Sequence, residues 1–492
     1  MKVVCLVRGR EVHKNYHAFV PDKPQGQKHK TNGSRLSVLV VGLDSVSRIN
    51  LHRQMPRTVQ LLTNLNAIEL LGYNKVADNT FLNIVPVLSG YTEAELVNTS
   101  CWAPNSFFDN CSWVWKNYSA AGFRTSFGED TSDMGLFTYL KRGFKQQPTD
   151  YYLRTLMKTS EDDIGYNYDP YAKVCLGSEL TTTVLLRYIK NYAFSMASKD
   201  SFAFFWSTSL THDYLNYPSL GDDMYAGFFS ELINSGSLNN TVLIFMSDHG
   251  IRWGGIRETY QGRLEERLPF VFFVFPQWFL EKYPSAVANL RINTHRLTSP
   301  FDIYATLCDL VDLTQLEQES ISKRNTALGK MQSKPRAISL FLRVHDSRTC
   351  DEAGIEKHWC TCQKSEPLPN NTPVALRISA VLVEHLNNLL NTHGLCSKLT
   401  LAEVKSASVE HPTDDLANKI TDKGLKDYVV VVRTIPGDAL FEGTVRQSNS
   451  VNVIGAVSRI NSYGNQSACV SDYHVKPYCF CSSLNSSSTP LH

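Results

Sequence analysis

The chain has 492 residues, 42% hydrophobic and 20% charged, with a formal net charge of +2. That composition excludes a disordered or coiled-coil chain. So small a net charge excludes nucleic acid as a partner recognised by bulk electrostatics, so any anion must be recognised locally. The length suits one large domain with a smaller companion.

Residues 1–35 are polar and basic and read as an N-terminal arm ending in the loop-like KPQGQKHKTNGSR. LSVLVVGLD, 36–44, is a near-continuous apolar run, as expected of a strand covered on both faces. NAIELLGYNKV predicts a strand and TEAELV a short helix. YSAAGFRTSFGED predicts a helix stopped by Gly122 and then a strand. LTTTVLLRYIKNYAFSMA is helical, DSFAFFWSTSL a strand, and GDDMYAGFFSELINSG a helix ended by Gly236. NTVLIFMSDHG and LPFVFFVFP predict two more strands, and TSPFDIYATLCDLV a helix capped near Thr298 or Ser299. Strands alternating with helices over 36–345 imply an α/β domain with a doubly wound, mostly parallel sheet. Residues 346–400 form a Cys-rich connector followed by the helix TPVALRISAVLVEHLNNLLN. Residues 401–482 carry YVVVVRTIP, ALFEGTVRQ and NVIGAVSRIN, the meander of a smaller C-terminal β-rich subdomain. The tail 483–492 is low-complexity and expected to be disordered.

Twelve cysteines are present, an even number. HWCTC and YCFC are tighter than the C-x₂₋₄-C of zinc sites and no matching His pair follows, so disulfides are the better reading. Eight N-x-S/T sequons, at Asn32, Asn98, Asn110, Asn117, Asn239, Asn370, Asn465 and Asn485, agree with a secretory route. The N-terminus has no signal-peptide apolar core and no stretch reaches ~18 consecutive apolar residues. The expectation is a secreted or membrane-anchored ectodomain whose targeting or tethering segment lies outside this sequence.

In an open parallel sheet, ligands bind beyond the carboxyl ends of the strands. Asp44 follows VLVVGL, and Asp248 with His249 follows VLIFM, so both groups project at one rim. Thr80 lies at a strand-to-helix turn between GYNKVADN and FLNIVPVLSG and presents a hydroxyl there too. Singly, an Asp at a strand end is a turn or cap residue and SDHG is a loop. Together, two carboxylates, an imidazole and a hydroxyl suit a divalent cation such as Zn²⁺ or Mn²⁺. A cation there lowers the hydroxyl's pKa and makes it a nucleophile at neutral pH. Arg252 and Arg257, just behind the motif, suit a phosphate or sulfate group. Arg263 and Arg267 are expected to pair with Glu258, Glu265 and Glu266. Glu129 and Asp130 end another strand and reach the same rim or serve as a capping pair.

The order strand-Asp, then TFLN followed by SG, then SDHG resembles the alkaline phosphatase superfamily of phosphatases, phosphodiesterases and sulfatases. More closely, GLDSVSRINLHRQMP, SLTHDYLNYPSLGDD, FMSDHGIRWGGIRETYQGRLEERLP, LTSPFDIYATL, GIEKHWCTC and SRINSYGNQSACVSDYHVKPYCFC resemble the metazoan, extracellular family called domain of unknown function 229. The resemblance runs from about Cys5 to Cys481. It implies an alkaline-phosphatase-like fold, with Asp44, Asp248 and His249 as ligands of one metal and Thr80 as the bridging nucleophile that forms a phospho-threonine. It implies Asn83 as a donor to an ester oxygen and His212 as a substrate-contacting histidine and candidate general acid. The Asp-x₃₋₄-His pair and later His of two-metal members are missing. Asp213, Asp222 and His295 are the weak candidates for a second site, so one metal is implied rather than two. Sulfatases carry C/S-x-P-x-R, which NTFLNIVP lacks.

The function implied is a metal-dependent hydrolase or transferase of phosphate esters, with phosphodiester or phospho-headgroup substrates, whose partner is a small phosphorylated, glycan or lipid-headgroup molecule. A sulfatase-like hydrolase using Thr80, and a non-catalytic extracellular binding domain that keeps the fold, stand as alternatives.

Overall fold

A computed structural model of the chain describes residues 1–23, 34–168, 171–412 and 425–486. It opens with a hairpin, β1 (Lys2–Val7) and β2 (Arg10–Tyr16), followed by β3 (Ser37–Leu43), α1 (Arg48–Gln54), α2 (Pro56–Asn64) and β4 (Ile68–Glu69). Next come α3 (Thr80–Ser89), α4 (Glu93–Asn98), α5 (Val114–Ala120), β5 (Arg124–Glu129), β6 (Tyr151–Tyr152) and α6 (Arg154–Ile164). A three-stranded patch, β7 (Tyr166–Tyr168), β8 (Lys173–Leu176) and β9 (Glu179–Leu180), leads into α7 (Thr181–Met196), β10 (Ser201–Ser207), α8 (Pro218–Asn234) and β11 (Thr241–Met246). Then follow α9 (Tyr260–Arg267), β12 (Val271–Val274), α10 (Gln277–Lys282), α11 (Pro284–Asn293), α12 (Pro300–Asp309) and α13 (Gln318–Lys330). The last elements are β13 (Gln363–Leu368), α14 (Pro373–Leu390), β14 (Thr400–Pro412), β15 (Lys426–Ile435), β16 (Ala439–Gln447) and β17 (Val451–Arg459).

The chain divides into two compact units. The first, Met1–Ile251 with Glu265–Arg348 and Glu352–Gly354, holds a seven-stranded sheet of order β4-β12-β11-β3-β10-β5-β6. β11, β3, β10, β5 and β6 run parallel, and β12 runs antiparallel to both β11 and β4. Successive strand residues face opposite sides, and both sides are apolar. Val38, Val40, Phe204 and Ile244 pack with residues of α3, α5 and α12. Leu39, Val41, Phe205 and Phe245 pack with residues of α2, α7 and α8. This double cover is why β3 reads as an unbroken apolar run. Gly42 has a packing reason, since a Cβ there would lie 1.8 Å from the Trp206 ring on β10.

Three expectations change. The strand expected across 66–76 shrinks to Ile68–Glu69, because later amides bond to residues outside the sheet: Leu71 to Thr294, Asn74 to Thr298 and Lys75 to Arg267 at the end of α9. The N-terminal arm contains the β1–β2 hairpin, turned at Arg8 and Gly9, both with positive φ. The C-terminal meander has two further strands, β13 and β14. α12 begins as expected, with Ser299 and Asp302 forming a capping box.

The second unit, Arg252–Leu264 with Thr349–Asp351 and Ile355–His492, contains the antiparallel sheet β13-β14-β15-β16-β17. α14 covers it, packing Ile378, Leu382 and Leu386 against Val430, Val432 and Phe441. Four disulfides form, Cys101–Cys111 in the first unit and Cys350–Cys360, Cys396–Cys479 and Cys469–Cys481 in the second. Cys5, Cys175, Cys308 and Cys362 remain thiols. The sequon at Asn32 and tail residues 487–492 lie outside the described residues. No described helix is long and apolar enough to cross a membrane. Gly42→Ala should lower stability by about 3 kcal/mol through overpacking against Trp206. A urea midpoint equal to wild type would contradict this.

Candidate functional site

β3 and β11 are adjacent and parallel, with Gly42 opposite Met246. Their chains therefore leave the sheet side by side, with Asp44 the first residue beyond β3 and Ser247 followed by Asp248–His249 beyond β11. All three are buried, at 1%, 0% and 0% exposure. One ligand atom from each lies within 4.8 Å of the other two. Asp248 Oδ2 is 3.0 Å and Asp44 Oδ1 3.9 Å from His249 Nε2.

Neighbouring groups set the orientation of each ligand. His249 Nδ1 lies 2.8 Å from the Gly250 carbonyl, which can only accept, so Nδ1 carries a proton, and Nε2 is the ring nitrogen that faces the acids. Asp248 Oδ1 accepts from the Ser45 amide at 3.1 Å and the Ser247 hydroxyl at 3.4 Å, whereas buried Oδ2 accepts no hydrogen bond among the described residues. Asp44 Oδ1 accepts from the Ser45 hydroxyl at 2.9 Å, and the Thr211 hydroxyl donates to the Asp44 carbonyl at 2.5 Å. Ser45 takes φ of 63°, a strained conformation for a residue other than glycine.

Thr80 is the first residue of α3, whose N-cap Asn79 accepts from the Leu82 amide. Its hydroxyl lies 3.3 Å from Asp44 Oδ1 and 3.3 Å from His249 Nε2. The cap region of a helix carries partial positive charge and favours an anion. The donor set fits a divalent cation: two carboxylates, an imidazole whose Nε2 faces them and a hydroxyl, with Asp248 Oδ2 accepting no hydrogen bond among the described residues.

Electrostatics point the same way. Burial first, and then the charge of Asp44, push the Asp248 carboxyl well above the ordinary range. Glu129, at the end of β5, is pushed up to about 8 by burial, with the charges of Asp130 and Asp44 adding and the Leu136 amide opposing.

The other expected site residues serve in different ways. Asn83 is fully buried; its Oδ1 accepts from the Val76 and Ala77 amides and its Nδ2 donates to the Ala77 and Asn79 carbonyls. Both ends of the amide are engaged in holding the loop before Thr80. His212 follows Thr211 and pairs through Nδ1 with Asp213 Oδ1 at 2.7 Å. Asp213 Oδ2 accepts from the Tyr171 and Ala172 amides, and Asp222 accepts from the Arg57 and Thr58 amides at the start of α2. His295 is exposed beyond the end of α11. None of these last three belongs to a ligand cluster among the described residues.

Arg252 and Arg257 fall in the second unit. Arg257 is buried, with its guanidinium 3.7 Å from buried Glu442 in the same unit. Arg263 pairs with Glu410, not with the glutamates nearby in sequence, while Arg267 lies 3.9 Å from Glu266. Asp130 binds the Thr208 and Ser209 amides and the Ser207 hydroxyl, organising the loop after β10.

Several contributors had no signal in the sequence. Lys75, fully buried and paired with Glu266, also donates to the Asp78 carbonyl and so holds the loop ahead of Thr80. Ser45, Ser247 and Thr211 are ordinary hydroxyls until the rim is assembled.

The chain belongs to the family described as protein of unknown function (DUF229), which matches residues 1–405. A comparison with curated proteins found no match. Among solved structures, the chain is similar to a protein of the alkaline phosphatase superfamily from Vibrio parahaemolyticus, at 10% identity over 91% of this chain and 86% of that one, with a TM-score of 0.43. It is similar to lipoteichoic acid synthase LtaP from Listeria monocytogenes, at 13% identity over 51% and 69%, with a TM-score of 0.35. It is also similar to the C-terminal periplasmic domain of phosphoethanolamine transferase EptC from Campylobacter jejuni, at 10% identity over 57% and 95%, with a TM-score of 0.34.

Because the Asp248 pKa is raised on folding, the folded state of chelator-treated protein binds the extra proton, and stability should fall as pH rises above about 4. Asp248→Asn should flatten that dependence in urea unfolding with EDTA between pH 5 and 8. Equal pH slopes for the two proteins would refute the assignment.

Proposed function

We propose that this member of the family is a metal-dependent hydrolase or transferase of phosphate esters, with phosphodiesters or phospho-headgroups preferred, that works through a covalent phospho-threonine at Thr80. The observation carrying this reading is the Thr80 hydroxyl at the start of α3, 3.3 Å from both Asp44 Oδ1 and His249 Nε2.

Asp44, Asp248 and His249 are the residues that would hold Zn²⁺ or Mn²⁺, with Thr80 beside them. When bound, the ion supplies a lowered hydroxyl pKa and positive charge opposite the phosphoryl oxygens. Ionised Thr80 Oγ attacks phosphorus, the bond to the leaving oxygen breaks in line, and the phosphoryl group remains on Thr80. The amino end of α3 favours the added negative charge. His212 supplies the proton needed by the leaving alkoxide, with Asp213 accepting from Nδ1 and fixing the ring. Water, or an acceptor alcohol in a transferase, then cleaves the phospho-threonine. Asn83 and Lys75 act on the loop that sets Thr80 in place.

Four disulfides and the exposure of Asn98, Asn110, Asn117, Asn239, Asn370 and Asn465 support folding in the secretory route.

The test compares p-nitrophenyl phosphate, bis-p-nitrophenyl phosphate and p-nitrophenyl sulfate with Zn²⁺ or Mn²⁺ added. Diester turnover should exceed monoester, and Thr80→Ala should lower both at least about 1,000-fold. Unchanged rates in that variant would remove Thr80 as nucleophile, and turnover of the sulfate alone would favour the sulfatase-like reading. Elemental analysis should find metal in the wild type and not in Asp248→Ala; absence from both would leave the proposal without a basis. His212→Gln should cost about 100-fold with an alkyl leaving group and only a few-fold with p-nitrophenolate, which leaves unprotonated. Equal losses would exclude a general-acid role.

A further inference from the structure

The second unit contains seven cysteines, Cys350, Cys360, Cys362, Cys396, Cys469, Cys479 and Cys481, and an odd count must leave one unpaired. That one is Cys362. Its placement is unusual for a surplus thiol, because its sulfur lies within 4.8 Å of those of both Cys350 and Cys360, which form a disulfide with each other. Cys362 and Cys360 are half-buried, and Cys350 is 8% exposed. A thiol this close to both sulfurs of a disulfide has the partners that exchange requires.

We propose that Cys350, Cys360 and Cys362 form a thiol–disulfide exchange site, in which Cys360 and Cys362 compete for Cys350. The Cys362 thiolate attacks Cys350 Sγ, the Cys350–Cys360 bond breaks, and Cys360 leaves as a thiolate that takes up the proton Cys362 lost. One disulfide is exchanged for another with no net oxidation, so no external oxidant or reductant is involved. Attack on the Cys360 sulfur is the poorer route, since it would close a ring across the single residue Thr361.

Exchange moves the covalent anchor two residues along the chain. In the Cys350–Cys360 form the bridge closes directly after His358 and Trp359, both 1% exposed. His358 spans two strands, with Nδ1 2.9 Å from the Thr444 hydroxyl on β16 and Nε2 3.0 Å from the Ser458 hydroxyl on β17. In the Cys350–Cys362 form the enclosed loop gains Cys360 and Thr361, and the tether on His358 slackens. The site therefore acts as a two-position latch on the segment docked against β16 and β17. Burial raises the Cys362 thiol pKa, which keeps the thiolate scarce and the exchange slow, so each form can be trapped.

The experiment is rapid alkylation of the folded, non-reduced full chain followed by tryptic mapping. Cleavage after Arg348, Lys357 and Lys364 gives TCDEAGIEK, with Cys350, linked to HWCTCQK, with Cys360 and Cys362. Fragmentation then shows which cysteine of the second peptide carries the alkyl group. In wild type the label should be found on Cys362 in one population and on Cys360 in another. In Cys360→Ser, Cys350 should be fully linked to Cys362; an alkylatable Cys350 there would overturn the proposal. If that variant does not fold, the wild type decides, with label on both positions supporting exchange and label on Cys362 alone overturning it. Neither readout depends on Thr80 chemistry or on a bound metal.

Discussion

The parallel ladder between β3 and β11 is the constraint on which the site depends. With Gly42 opposite Met246, the two chains leave the sheet at the same level, and the residues just past each strand must share one small, dry volume. Those residues are Asp44 on one side and Asp248–His249 on the other. The charge of Asp44 opposes ionisation of buried Asp248, and the effective cost of burying an ion is several kcal/mol. Part of that cost is met locally by the Ser45 amide and hydroxyl and by the Ser247 hydroxyl. Asp248 Oδ2 accepts no hydrogen bond among the described residues, and the positive φ of Ser45 is a further strain. The apolar faces of β3, β10 and β11, packed on both sides, hold this arrangement together.

The loops around the rim bind chiefly one another, which explains how a threonine remote in sequence is held near the acids. Asn83 spends both ends of its amide on the turn before Thr80, and buried Lys75 ties the same turn to Glu266. On the other side, Asp130 gathers the amides after β10, Thr211 bonds to the Asp44 carbonyl, and Asp213 joins His212 to the backbone at 171–172. Buried polar networks of this sort are costly if partly satisfied and rigid when complete. Such rigidity suits a reaction that depends on in-line placement of a nucleophile.

The second unit is stabilised differently. Its sheet has a helix over one face, and three disulfides close loops around it. Arg257 and Glu442 pair within it, both nearly inaccessible, and His358 bonds hydroxyls on two strands. Arg257, which follows the SDHG stretch closely in sequence, lies beside a buried acid of this unit.

The sequence by itself determined the alternation of strands and helices, the strand-end position of Asp44 and Asp248–His249, and the preference for disulfides over zinc. Each of these is written in local patterning: unbroken apolar runs, caps such as Ser299, and cysteine spacing. It did not reveal the short β4, the exposed N-terminal hairpin, the antiparallel direction of β12, or the polar strands β13 and β14, whose pairing is decided by distant partners. Nor could it separate substrate contact from scaffold for Asn83, Arg257, Asp213 and Asp222, because an amide, a guanidinium or a carboxylate has the same chemistry in either role. Only the tertiary structure decided which donors and acceptors each of these polar side chains meets, since those partners lie up to hundreds of residues away along the chain.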